Sequence, residues 1–229
     1  MATVVLVRHG RTEANASGVL AGWSPGVFLD EEGRKQAEVV ARRLVDVPFA
    51  HVVSSPLDRT VETADFLCAG RKVKRSVDEG FGECKYGDWT GKKLATLAKD
   101  PMWRVVQDHP SAARFPGPDG ETLAGMQHRA VSAIRTWNEV LGADAVYAVV
   151  SHGDVIKAIL ADALGMHLDS FQRICVDPCS ISIISYTPTR PFVQRMNDTS
   201  QDPITWKATS KRKRRSSDAA VGGGAGGGK

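Results

Sequence analysis

The chain lacks any hydrophobic run that could cross a bilayer: its longest apolar candidate, residues 145–150, is strand-sized, whereas a spanning helix needs about 18 or more apolar residues. Its opening, MATVVLVRHG, has no basic flank before a short apolar stretch that ends at Arg8. A secretory leader is therefore not expected; the expected location is the cytoplasm, with no membrane partner. Cysteine is sparse. Cys68, Cys84, Cys175 and Cys179 have neither the density of a disulfide scaffold nor the two-residue pairing of a structural zinc site, which leaves reduced thiols in mostly apolar surroundings. No cofactor motif and no internal repeat stand in the sequence.

What is present is an ordinary globular composition, 42% hydrophobic and 24% charged over 229 residues. A compact chain of that length buries about 70% or more of the surface its unfolded form exposes, so no staple is needed for folding. The formal net charge of +4 is concentrated at one end: residues 201–229 hold seven Lys or Arg against two Asp, which leaves residues 1–200 at −1. The body is thus not a nucleic-acid-coating surface. The final segment joins five consecutive cations, Lys211, Arg212, Lys213, Arg214 and Arg215, to six glycines in eight residues. Residues 201–229 read as a disordered, solvated tail after a domain of residues 1–200, and any nucleic-acid contact is assigned to those cations alone.

Upstream, short β-branched runs alternate with helical periods, the pattern of an α/β fold, a three-layer α/β/α sandwich with a mostly parallel central sheet. Residues 3–7, 50–54, 145–151 and 181–186 read as strands, 72–77 as a weaker one and 192–196 as a returning edge. Ala37, Val40, Ala41, Leu44 and Val45 fall at helical spacing; so do Leu57, Val61, Ala64 and Cys68, and again Leu123, Met126, Ala130, Ile134, Trp137 and Leu141. A further helix runs from about Val155 to Gly165. Residues 78–120, with Pro101, Pro110, Pro116 and Pro118, promise only a short helix near 92–99 and otherwise an irregular insertion that selects substrate. Trp89, Trp103 and Phe115 there read first as packing residues and second as pocket lining. An exposed apolar edge at Phe192 would favour a dimer; the oligomeric state has no signature of its own.

Three strand ends carry reactive side chains. The first runs into Arg8-His9-Gly10-Arg11, the second into Ser54-Ser55-Pro56-Leu57-Asp58-Arg59, and the run ending at 151 into His152-Gly153. Ligands of open α/β sheets bind at such carboxyl ends. Two histidines with two arginines suit a phosphoryl group better than a metal, because guanidinium forks pair with phosphate oxygens while their charge discourages a divalent cation. One imidazole can attack phosphorus and the other donate to an equatorial oxygen. Glycine after each histidine lets backbone and anion approach closely.

These elements, Arg8-His9-Gly10, the run SSPLDRTVETA from Ser54, and Ser151-His152-Gly153, resemble in order and spacing the signatures of the histidine phosphatase superfamily, in its phosphoglycerate-mutase-like branch, over roughly residues 3–187. The resemblance implies a metal-independent phosphomonoesterase without cofactor, acting on a small phosphorylated substrate. It makes His9 the nucleophile, Arg8 and Arg59 the phosphoryl ligands and His152 the group that completes the pocket with Gly153. It also brings Arg11 and Asn15 near phosphate or substrate. Glu83, before a Gly87-Asp88-Trp89-Thr90-Gly91 turn, is the implied proton donor, with Glu121 its rival. No counterpart of the Glu-Leu-Asn-Glu-Arg-His-Tyr-Gly segment of the cofactor-dependent phosphoglycerate mutases is present, which favours hydrolysis. A mutase, or a non-catalytic binding protein on the same scaffold, are the alternatives.

Overall fold

A computed structural model describes residues 1–206. Its sheet has six strands in the order β3-β2-β4-β1-β5-β6: β1 (Ala2–Arg8), β2 (His51–Ser54), β3 (Lys74–Val77), β4 (Val146–Ser151), β5 (Ile181–Tyr186) and β6 (Pro191–Asp198). The first four in that order run parallel, β5 pairs antiparallel with β1, and β6 pairs antiparallel with β5. Parallel neighbours need crossovers, which helices supply. After β1 come a one-turn helix α1 (Glu13–Ala16) and α2 (Glu31–Arg43), after β2 comes α3 (Asp58–Cys68), and after β4 comes α7 (Gly153–Ala163). The insertion between β3 and β4 carries α4 (Leu94–Leu97), α5 (Pro101–Asp108) and the long α6 (Leu123–Leu141).

Alternation along the strands divides the core. Val4 and Leu6 of β1 face α6, α7 and the insertion, while Val5 and Val7 face α2 and α3, so the central strand is buried on both sides. The three-layer expectation is met. Among the described residues no helix is long and apolar enough to cross a membrane. Edge strand β3 is exposed and carries Lys74 and Arg75, charges that discourage pairing with another sheet. The opposite edge, β6, extends beyond the expected 192–196, and Phe192 is half-buried opposite Ser185 rather than an exposed apolar edge.

Two segments depart from expectation. Pro101 does not break a helix but begins one: Asp100 accepts from the Met102 amide at 2.8 Å, and proline at the first turn forfeits no bond. Residues 201–206, read from composition as tail, pack back on α2. Ile204 is buried and donates its amide to the Arg43 carbonyl at 2.8 Å, and the buried Arg43 guanidinium binds Asp198 and the Asp202 carbonyl. The five-cation run and the glycines lie outside the described residues. The four thiols are unpaired, Cys84 and Cys179 buried and Cys175 exposed.

The insertion builds its own small core. Tyr86, Trp89 and Phe115 are buried with ring centroids 4.9 Å (Tyr86–Phe115) and 5.4 Å (Trp89–Phe115) apart, which places Trp89 and Phe115 in packing; half-buried Trp103 leans on Trp89 at 6.1 Å. Where β1 ends, the chain passes the start of α2 so closely that a Cβ on Gly33 would lie 2.0 Å from the Arg11 carbonyl oxygen. Gly33→Ala is expected to destabilise the protein by about 1–3 kcal/mol, overpacking outweighing alanine's better helix propensity. The measure is a lower urea midpoint at unchanged slope; an unchanged midpoint would mean that this crossing yields freely.

Candidate active site

Register brings the reactive positions together. Arg8 pairs with Ser151 across β1 and β4, and Ser54 with Val150 across β2 and β4, so the three strands stop within one residue of one level. Just beyond, the His9 amide donates to the Ser151 carbonyl at 3.0 Å and the Ser55 amide to that of Val150 at 3.0 Å. His152 follows as the N-cap residue just before α7, its side chain free of the helix's own amides. The two imidazoles meet edge to face with ring centroids 5.2 Å apart.

Hydrogen-bond partners fix the tautomers. His9 Nδ1 lies 2.7 Å from the Gly10 carbonyl oxygen, an atom that only accepts, so Nδ1 carries the proton and Nε2 holds the free lone pair. His152 Nε2 lies 2.7 Å from Ser55 Oγ, which itself accepts a long bond from the Leu57 amide at 3.4 Å. Among the described residues the Ser55 hydroxyl hydrogen has no acceptor other than Nε2, and its donation there places the His152 proton on Nδ1. Burial, reinforced by the positive charges of Arg59 and Arg8, holds both rings well below the ordinary imidazole pKa, and both are therefore neutral.

The guanidiniums are each half-committed. Arg8 Nη1 donates to the Val176 carbonyl at 2.7 Å and Arg59 Nη2 to that of Gly22 at 2.8 Å. Arg8 Nε and Arg59 Nη1 are buried without a partner, as is His152 Nδ1. Five buried side-chain polar atoms lack partners among the described residues; the other two are hydroxyls of Ser54 and Ser180 at the same strand ends. Native interiors rarely tolerate such orphans, so their concentration here marks a place built for a polar ligand. A Cβ on Gly153 would rest 3.5 Å from the Arg8 guanidinium carbon, so the first turn of α7 and its unpaired amides overlie that cation.

Glu83 closes the constellation. Its Oε2 is 3.8 Å from His152 Nδ1, and Oε1 accepts from the Cys84 amide at 3.0 Å. Burial, and then the negative charge of Asp154, push its pKa up to about 7 against the opposing pull of Arg59. Glu121 is engaged elsewhere: both its oxygens bind Arg129, at 2.7 and 3.1 Å, and Oε1 also accepts from the Lys85 amide at 2.8 Å.

Thus Arg8, His9, Arg59, Glu83, His152 and Gly153 stand together, while Arg11 and Asn15 have local partners. Arg11 Nε binds Asp30 at 2.8 Å. Asn15 is exposed, its amide oxygen accepting from the Thr12 amide and hydroxyl in a capping box. Among the described residues no group of three or more His, Cys, Asp or Glu could hold a metal ion. Sequence reasoning missed Ser55, which sets the His152 tautomer, and Asp154, whose charge lifts Glu83. Ser55 lay inside the quoted SSPLDRT run, but its partner, almost a hundred residues away, has no local signal.

A family model described as the histidine phosphatase superfamily (branch 1) matches residues 4–199, and the chain belongs to that superfamily. It is 30% identical over 188 residues to a probable phosphoglycerate mutase GpmB of Erwinia tasmaniensis, covering 81% of this chain and 86% of that protein. It is 28% identical over 219 residues to a probable 2-carboxy-D-arabinitol-1-phosphatase of Arabidopsis thaliana; 92% of this chain is matched, spanning 44% of that relative's length. Among solved structures, YhfR of Bacillus stearothermophilus superposes with a TM-score of 0.81 at 27% identity, over 88% of this chain and 99% of that one.

Imidazole nitrogen NMR on histidine-labelled protein is expected to show His9 and His152 each protonated at Nδ1 only. Both should remain neutral at about pH 6, where an ordinary histidine of pKa near 6.5 is mostly charged. Titration of either ring near 6.5 would contradict the assignment.

Proposed function

We propose that this member of the superfamily is a metal-independent phosphomonoester hydrolase that passes the phosphoryl group through His9. The observation that carries the reading is the set of three buried, unpartnered N–H donors, Arg8 Nε, Arg59 Nη1 and His152 Nδ1, beside a neutral imidazole whose Nε2 lone pair is free. A tetrahedral oxyanion bound there would supply the acceptors these donors lack.

In the first half-reaction Nε2 of His9 bonds to phosphorus in line as the ester P–O bond breaks, and protonated Glu83 gives its proton to the departing oxygen. The phosphoimidazole gains positive character, which the Nδ1–H bond to the Gly10 carbonyl stabilises. In the second, water attacks phosphorus, Glu83 carboxylate takes its proton, the N–P bond breaks and inorganic phosphate leaves. Arg8, Arg59 and His152 position the group and offset its charge. The engagement of Glu121 with Arg129 supports Glu83 as the proton carrier. Arg11 and Asn15, on the loop after β1, are assigned to the leaving-group side of a small phosphorylated metabolite, in the cytoplasm.

A phosphoglycerate mutase is the second reading, favoured by similarity to the probable phosphoglycerate mutase of Erwinia tasmaniensis. The same phosphohistidine would return its phosphoryl group to a substrate hydroxyl; against it stands the missing mutase segment.

Phosphate release from an aryl phosphomonoester and a panel of natural phosphoesters, in chelator, is expected for the wild type and absent from folded His9→Ala. Near-normal release by the variant would sink the mechanism, and isomerised phosphoglycerate with little free phosphate would select the mutase. Because Glu83 donates only when protonated and its pKa is about 7, kcat/KM for an alkyl phosphate should fall as pH rises through about 7. Glu83→Gln should lose about 10²- to 10⁴-fold and lack that limb; a limb that persists in the variant would assign it to another group.

A further inference from the structure

Arg129, on α6, makes six hydrogen bonds that converge on the turn preceding Glu83 and on Glu121. Nη1 donates to the carbonyls of Glu79, Gly80 and Gly82 at 3.2, 3.0 and 2.8 Å, and Nη2 to that of Glu83 itself at 2.8 Å. Nε and Nη2 also hold Glu121, which reaches past Glu83 to accept from the Lys85 amide. The backbone on either side of Glu83 is thus gripped by one ion pair, carbonyls before it by the cation and an amide after it by the anion.

Packing leaves this grip no slack. A Cβ on Gly80 would lie 2.6 Å from the Ala133 Cβ of α6, and one on Gly82 2.4 Å from the Trp23 ring, whose Nε1 donates to the Glu83 carbonyl at 2.5 Å. Trp23 adjoins Gly22, the residue that anchors Arg59. The segment carrying the carboxyl group is therefore tied to the long helix on one side and to the phosphate-ligand loop on the other. The side chain of Arg129 is about a quarter exposed and that of Glu121 less, so the pair is partly shielded from water.

The geometry points to Arg129, with Glu121 as its counter-ion, as a positioning residue that acts through Glu83 and governs proton delivery to the leaving oxygen. This rests on the reading of Glu83 as the proton donor. It gives Glu121, the rival carboxylate of the sequence, a function that is not proton transfer. Protonation matters in proportion to the basicity of the departing oxygen: a nitrophenolate leaves almost unaided, an alkoxide does not. A displaced Glu83 should therefore slow alkyl esters selectively, which a general loss of fold or of phosphate binding would not do.

The test compares kcat/KM for 4-nitrophenyl phosphate and an alkyl phosphate such as glycerol phosphate, together with inhibition by inorganic phosphate, in Arg129→Met, Arg129→Lys, Glu121→Gln and Glu83→Gln. Arg129→Met is expected to lose about 10- to 100-fold on the alkyl ester, the scale of a misplaced catalytic group, and less than about threefold on the aryl ester, with phosphate inhibition unchanged. Arg129→Lys should recover part of the loss, and Glu121→Gln should show a milder form of the same selectivity. Equal losses on both esters, or none, while Glu83→Gln remains selective would overturn the inference and leave the donor standing. A Glu83→Gln variant without selectivity would remove the donor and the inference together. If Arg129→Met does not fold, the lysine and glutamine variants decide by the same pattern.

Discussion

Parallel pairing of β1 with β4, ending level at Arg8 and Ser151, is the constraint from which the site follows. One residue further, the amide of His9 is already bonded to the Ser151 carbonyl, and the next residue of that strand's chain is His152. Because β2 pairs in phase on the other side of β4, Ser55 arrives level with Ser151, one residue from His152, and its short hydroxyl reaches the ring at 2.7 Å. Strand ends leave backbone and side-chain donors without sheet partners, and the helices that follow leave their first amides free. Here those groups are cationic or N–H bearing, and they are buried.

Burial does the electrostatic work. It drives both imidazoles toward the neutral form while lifting Glu83 toward the protonated one, and the two arginines add to the first effect and oppose the second. The balance suits a nucleophile that must keep its lone pair beside positive charge and an acid that must keep its proton near neutrality. Asp154 supplies the second contribution to the rise at Glu83, and its Oδ2 accepts from the Tyr86 hydroxyl at 3.0 Å. The first turn of α7 thus serves both sides of the chemistry, with Gly153 over Arg8 and Asp154 acting on Glu83.

Much of this was legible in the sequence because strand ends announce themselves. Short, continuous β-branched runs stopping at Arg8, Ser54 and Ser151 located the cations and imidazoles, and the three-layer architecture followed from their alternation with helical periods. Composition misled where it was read as geometry. Pro101 looked like a breaker but sits where a helix forfeits nothing by starting, and residues 201–206 looked like tail because one isoleucine beside a basic run gives no periodicity. Of the two carboxylates, Glu83 was the implied donor and Glu121 its rival in one dimension; the approach of Glu83 to His152 at 3.8 Å and the placement of Arg129 against Glu121 separate them. Tautomers are wholly invisible to sequence, since they depend on what each ring nitrogen meets.

The nitrogen that bonds to phosphorus is the most direct test. After rapid mixing with a phosphomonoester and quenching in alkali, where phosphohistidine survives, the labelled peptide is predicted to contain His9 phosphorylated at Nε2, because Nδ1 is held by the Gly10 carbonyl. Phosphate on Nδ1, on His152, or on no histidine at all would contradict the account.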